Sequence, residues 1–306
     1  MQKSVVCRPK DPRIYLNVNG EWFFYNPQAP PLGGGAMGDV YRGYSCRTGV
    51  MIAVKRVKDM YANNQMIRNR AKLEASLQFR HPNLVEMIGY CEYAPDYGPI
   101  FILSKYVHGE DVDSYVLRFA NHPQRVEKIC AVICSVLDAL SYVHQKNITH
   151  RDVKPSNIMV ENGSNVRLMD LGIARMNAGN KFSSTGFIGT PEYSAPEQVK
   201  TNADGTATIN NTTDIYALGI TFYELLVGTN PMKCQSDSET LTKQAKVRLP
   251  ASSKIPRRIM DVIWKATEKD QSKRFQTAQE FKAAISNALM PEPSVWDKIT
   301  SWVQNL

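Results

Sequence analysis

Hydrophobic and polar positions change rhythm along this 306-residue chain. Residues 14–25, IYLNVNGEWFFY, form two β-rich runs that meet at Asn19-Gly20. That dipeptide suits the positive φ values of a two-residue type I′ turn, so the pattern predicts a hairpin. Pro27, Pro30 and Pro31 then interrupt regular structure, because proline cannot donate to a sheet ladder. From 32 to about 104 short strands alternate with one helical stretch, roughly 65–79. Beyond that, helical spacing dominates. Val126, Ile129, Cys130, Ile133, Leu137 and Leu140 recur three and four apart and draw one buried helix face. The tail from Pro291 reads as a separate short helix. Ser294 and Asp297 resemble a capping box, and Trp296, Ile299, Val303 and Leu306 form an apolar stripe. The stripe suits packing on the same chain, docking to a partner, or a membrane surface. Its polar face is poor in Lys and Arg, which disfavours the membrane.

Several residue groups carry chemistry. Gly33, Gly35 and Gly38 make G-x-G-x-x-G within Leu32–Val40, where missing side chains let backbone approach phosphate oxygens. A dinucleotide-binding loop shares this spacing but opens a helix; here Val40-Tyr41-Arg42-Gly43 continues as a strand. Ile52-Ala53-Val54-Lys55 is a β-branched strand ending in a lysine, and Glu74, nineteen residues on in the helical stretch, is its candidate partner. His150-Arg151-Asp152-Val153-Lys154-Pro155-Ser156-Asn157 sets a carboxylate, an ammonium and an amide within six residues. Asp170-Leu171-Gly172 follows eighteen residues after Asp152, behind the β-rich run Val166–Met169.

In this order and at these spacings the chain resembles the eukaryotic-like protein kinase family over about residues 32–285. Its loop wording is similar to that of bacterial Ser/Thr kinases. The resemblance implies an α+β, two-lobed fold: a small β-rich N-lobe with one regulatory helix (32–104) and a larger, mainly helical C-lobe (105–290). An N-terminal extension with the hairpin (1–31) and a C-terminal amphipathic helix (291–306) flank them. ATP would bind between the lobes. Gly33, Gly35 and Gly38 would cover its phosphates, and Lys55, paired with Glu74, would hold the α- and β-phosphates. Val40, Ala53, Ser104, Lys105 and Val107 would line the adenine pocket, and Asp111 would reach the ribose. Asp152 would accept the substrate hydroxyl's proton, Lys154 would neutralise γ-phosphate charge, and Asn157 and Asp170 would hold Mg²⁺, with Mn²⁺ as a substitute.

Further landmarks are implied by the same resemblance. Gly189–Glu197 resembles a substrate-docking loop, with Glu197 tied to Arg274 and Asp214 bracing the catalytic loop. Lys154 and Thr190 match kinases whose acceptor is serine or threonine of a protein substrate. Ser184 or Thr185, with Ser183 in reserve, would be the activation-loop phosphorylation site, because phosphate orders such loops against arginine. His81 and His144 match core histidines of the fold. Ser156 stands where arginine-directed kinases place glutamate, so a strict preference for basic substrates is not expected. A scaffold without catalysis would normally lack Lys55, Asp152, Asn157 or Asp170, and a small-molecule phosphotransferase would lack the Thr190–Glu197 segment.

Bulk properties exclude other classes. With 43% hydrophobic and 22% charged residues the composition is that of a globular protein. No apolar run approaches the roughly 20 residues of a membrane span, and MQKSVVCRPKDPRIY has no secretory core. A cytoplasmic chain is therefore expected, and its six scattered cysteines read as free thiols. A net charge of +8 reads as a solvated surface plus a basic nucleotide cleft. Without a basic run or basic–aromatic stripe, nucleic acid is not an expected partner.

One departure yields a test. Ser104 precedes Lys105-Tyr106-Val107, where the family commonly has a larger residue, so the pocket behind adenine should be open. ATP analogues with bulky N6 substituents should compete well with ATP, and Ser104→Met should exclude them. Equal discrimination by both proteins in a competition assay would overturn this reading.

Overall fold

The computed structural model describes residues 4–35, 38–61, 63–76, 79–94, 97–170, 190–199 and 208–291, the side chains of 66, 67, 70, 74 and 75 excepted. The N-terminal half is one antiparallel sheet. Its strands are β1 (Val5–Cys7), β2 (Ile14–Val18), β3 (Glu21–Tyr25), β4 (Gly33–Gly34), β5 (Gly38–Ser45), β6 (Met51–Val57), β7 (Met87–Glu92) and β8 (Ile100–Lys105). They run in the order β1-β2-β3-β5-β6-β8-β7, with β4 beside β5. At the tip of the first hairpin Asn19 and Gly20 have φ of 52° and 84°, the left-handed pair that a type I′ turn requires. The prolines have a topological consequence. β3 pairs with the far half of β5 (Phe23↔Ser45 to Tyr25↔Gly43) and β4 with its near half (Gly33↔Val40). The intervening segment leaves the ladder where the prolines were expected to interrupt it, so β3 and β4 are separate strands on one neighbour.

Period-2 alternation puts Leu16, Val18, Phe23, Ile52, Val54 and Leu103 on one inner face, all nearly inaccessible. The sheet curls until its first hairpin meets its last-ordered strand. A Cβ at Gly89 on β7 would stand 2.6 Å from Val18 Cγ1 on β2. The N-terminal extension is thus part of the lobe's core rather than an appendage.

Helix α1 (Gln65–Ser76) lies across β7 and β8. Its Arg68 side chain is fully buried, 2.5 Å from Glu92 Oε2 on β7, and donates to the carbonyl of Gly98 at 3.0 Å and to that of Ala94. Lys72, one turn on, reaches Glu92 Oε1 at 3.0 Å. One carboxylate therefore pins two turns of the helix to the sheet.

The second half comprises β9 (Gly109–Asp111), α2 (Val112–Leu117), α3 (Arg125–His144), β10 (Ile158–Glu161), β11 (Asn165–Leu168), α4 (Asn211–Val227), α5 (Asp237–Lys246), α6 (Arg257–Ala266) and α7 (Ala278–Leu289). α3 buries more than the expected stripe. Val132, Val136, Ala139 and Val143 are also inaccessible, because α4, α7 and β11 pack on different sides of it. α4 is buried almost all round, as a helix without a polar face must be. The proposed tail helix falls in 292–306, outside the described residues.

The Arg68 anchor predicts a contrast between two glutamates. Glu92→Leu leaves a buried guanidinium without its carboxylate and should cost about 3–5 kcal/mol. Glu86, whose 2.7 Å pair with Lys105 is exposed on both sides, should cost under about 1 kcal/mol when replaced by leucine. Denaturant unfolding of the two variants measures the difference.

Candidate active site

The site is assembled by backbone before any side chain acts. β10 and β11 form a hairpin whose turn holds Asn162 and Gly163 at φ 51° and 72°. Its open end is closed by the Met169 amide donating to Asn157 O at 2.8 Å, which sets Asp170 beside the segment Asp152–Asn157. β9 pairs with β10 from Gly109↔Glu161 to Asp111↔Met159. A Cβ at Gly109 would stand 2.2 Å from Val160 O, so only glycine allows that approach.

Asp214 braces the loop from α4. Fully buried, its carboxylate accepts the amides of His150 and Arg151 and faces His144 Nε2, each at 2.7 Å. Burial alone would raise this carboxyl, but His144, His150 and the Arg151 amide outweigh burial and hold it below its ordinary value. Arg151 adopts φ 66° and Asp170 φ 44°. Left-handed backbone at such residues costs about 1–3 kcal/mol each and persists only where surroundings enforce it.

Around this frame the polar groups converge. Lys154 Nζ donates to Thr190 Oγ1 at 2.8 Å and lies 3.2 Å from Asp152 Oδ2. The Thr190 hydroxyl donates to Asp152 Oδ1 at 3.2 Å. Asn157 Nδ2 donates to Asp152 O at 2.7 Å and to its Oδ2 at 3.2 Å. From the other lobe, Lys55 Nζ reaches Asp170 Oδ2 at 3.0 Å. Lys55 stands opposite Val40 on β5, and Ala53 opposite Ser104 on β8, so glycine loop, lysine strand and connecting strand lie edge to edge. With the Asn157 nitrogen engaged, its amide oxygen and the Asp170 carboxylate are the oxygens a cation would find. Such hard donors suit Mg²⁺, which takes one or two carboxylates together with substrate phosphates.

The glycines differ in what they require. A Cβ at Gly38 would meet Arg56 O at 2.5 Å, whereas Gly33 and Gly35 face open space. Gly38 therefore serves strand packing, while the first two leave room above the cleft. Val107 is buried; the Lys105 side chain turns away to Glu86. Asp111 caps α2, accepting the Ser114 amide at 2.8 Å and its hydroxyl at 2.9 Å. Glu197 and Arg274 form a two-pronged pair at 2.8 and 2.9 Å. Glu74 lies on α1 with its side chain outside the described residues, as are Ser183, Ser184 and Thr185. Sequence reasoning missed Gln244. Buried on α5, its amide donates to the carbonyls of Glu192 and Pro191, and it accepts from Tyr216 at 2.7 Å. A lone glutamine in a polar helix carries no signal of this.

Residues 28–284 match the family model described as protein kinase domain. The chain is 31% identical over 264 residues to serine/threonine-protein kinase PrkC of Bacillus subtilis, covering 84% of this chain and 39% of that protein. It is 31% identical over 282 residues to PknB of Mycobacterium tuberculosis, covering 88% and 43%. The solved kinase domain of Mycobacterium tuberculosis PknI is similar at a TM-score of 0.65 and 24% identity, covering 87% of this chain and 95% of that one. The chain thus spans less than half of these two curated relatives.

His150 supplies a pH test. Burial pushes its imidazole below the ordinary 6.5, so the unfolded chain takes up a proton first. Its contribution to stability is complete above about 6.5 and is lost as pH falls below that value. Asp214, held below 3.8, stays charged through the same window. Melting temperature should decline from pH 7.5 towards 5.5 (about two pH steps around the histidine value), and less steeply in His150→Asn. Equal slopes would show that His150 does not titrate on unfolding.

Proposed function

The chain belongs to the protein kinase family, and from that premise we propose that it transfers the γ-phosphoryl group of ATP to serine or threonine hydroxyls of protein substrates. The observation that carries this reading is the pairing of Lys55 with Asp170 across the two lobes, set beside the hydrogen-bonded group Asp152, Lys154 and Asn157 by the Met169 amide bound to Asn157 O. Phosphoryl transfer needs little covalent help, so positioning and charge neutralisation do most of the work.

In this reading Asp152 receives the acceptor hydroxyl's proton, and Lys154 balances charge on the transferred group. Lys55 orients the α- and β-phosphates, with Glu74 as its partner. Asn157 and Asp170 would hold Mg²⁺, which supplies charge neutralisation at the phosphates. The Lys154–Thr190–Asp152 triangle supports the Ser/Thr assignment, because it holds a threonine hydroxyl against both the lysine and the carboxylate, the feature by which the chain resembles Ser/Thr kinases. Ser104, Lys105, Val107 and Asp111 would border adenine and ribose, the last giving up part of its bonding to Ser114. We assign its action to the cytoplasm, where ATP is plentiful and cysteines, all six free here, stay reduced. Among the described residues no helix is long and apolar enough to cross a membrane.

Incubation with radiolabelled ATP and Mg²⁺ should label the chain itself, and Asp152→Asn should reduce the rate by about 10²–10⁴-fold. Mass spectrometry should locate phosphate at Ser184 or Thr185, with Ser183 next. Labelling untouched by the substitution would leave a nucleotide-binding scaffold as the better reading. Full activity with an unmodified 183–185 segment would remove the phosphorylation switch.

A further inference from the structure

The outer face of the N-lobe sheet carries a feature that phosphoryl transfer does not use. Tyr15, Phe24 and Tyr44 stand at paired positions across β2, β3 and β5, with ring centroids 5.9 and 5.6 Å apart. Beside this aromatic ladder runs an open groove of about 850 Å³, walled on the other side by Pro30, Pro31 and Leu32. The segment that the prolines expel from the ladder is therefore what builds the wall. Leu32 itself is 43% exposed, and its amide donates to Val40 O at 2.7 Å immediately before the glycine loop.

The charge lining this groove is one-sided. Lys10, Arg13 and Arg42 line it against a single carboxylate, Asp11. Arg13 consumes that carboxylate through two hydrogen bonds of 2.9 Å. Neither Lys10 nor Arg42 has an ion pair among the described residues. Lys10 sits at φ 65°, a left-handed conformation costly for a side chain of its kind. Arg42 lies 6.0 Å over the Tyr106 ring, at the connection between the lobes. An apolar floor rimmed by cations is complementary to a peptide whose carboxylates flank a large apolar side chain.

We propose that this groove is a docking site for an acidic peptide segment of a partner protein, with Lys10 and Arg42 pairing its carboxylates and Phe24, Tyr44 and the prolines receiving an aromatic or aliphatic residue. The site lies outside the nucleotide cleft, and its occupant binds without any phosphoryl transfer.

Fluorescence anisotropy of the whole chain with a short labelled peptide, rich in glutamate around one tryptophan, tests it. Binding should be saturable, should weaken with added salt, and should fall about tenfold or more in the double variant Lys10→Glu/Arg42→Glu. Both side chains are exposed, so circular dichroism melts should show the variant folded. A peptide with lysine in place of glutamate should not bind. Absence of binding, equal binding by the variant, or tighter binding of a single-stranded oligonucleotide than of the acidic peptide would each overturn the proposal. Because the readout is binding alone, its failure leaves the kinase reading untouched, and loss of catalysis leaves the groove untouched.

Discussion

A carboxylate sealed inside the larger lobe holds the catalytic backbone in a shape it would not otherwise keep. Removing Asp214 from water costs several kcal/mol, and three short charge-assisted hydrogen bonds offset that cost. Two of the three go to consecutive amides, at His150 and Arg151. Arg151, its amide fixed on that carboxylate, then turns the chain with a left-handed φ of 66°. The next residue, Asp152, is thereby aimed at Thr190, Lys154 and Asn157. Mobility at this point would scatter the triangle of Asp152, Lys154 and Thr190.

Each lobe has its own tie of this kind. Arg274, fully buried, receives Glu197 in the larger lobe and also donates to Thr212 O at 2.9 Å and Glu268 O at 2.7 Å. Arg68 plays the equivalent part in the smaller lobe with Glu92. In both, a planar guanidinium with five donors in a fixed fork satisfies several acceptors spread to different sides, a geometry that a lysine's compact ammonium does not match. Across the cleft Lys55 meets Asp170, a pair much more exposed than either tie, while behind it Phe79 and Leu84 are buried in the larger lobe's core and Leu168 exchanges backbone hydrogen bonds with Asn83 and Val85. The lobes are thus joined by buried contacts at the back and by an exposed ion pair at the front, where the cleft opens to solvent.

Local chemistry was legible where neighbours in sequence are neighbours in space. Asn19-Gly20 announced its hairpin because turn geometry is decided by two residues. Asn162-Gly163 carried the same signal and went unread, since the flanking Val160-Glu161 and Val166-Arg167 runs are short. The apolar stripe of α3 was visible at its three-and-four spacing, but its other buried positions were not. Periodicity reports one contact face, and α3 has several. The prolines at 27, 30 and 31 announced a break in the first strand; that the expelled segment walls a cationic groove required the register of β3 and β4 on β5.

The sequence by itself determined which side chains are candidates for the chemistry, because Asp152, Lys154 and Asn157 lie within six positions and Asp170 follows eighteen after Asp152. It also determined the hairpin and the principal helix, whose information lies within a few residues. Only the tertiary structure decided how Asp214 holds His150 and Arg151, which strand Arg68 grips, that Gln244 underlies Pro191 and Glu192, and that the first hairpin closes the N-lobe core. Those contacts join residues tens of positions apart, and their energies come from burial, which no local pattern of residue types encodes.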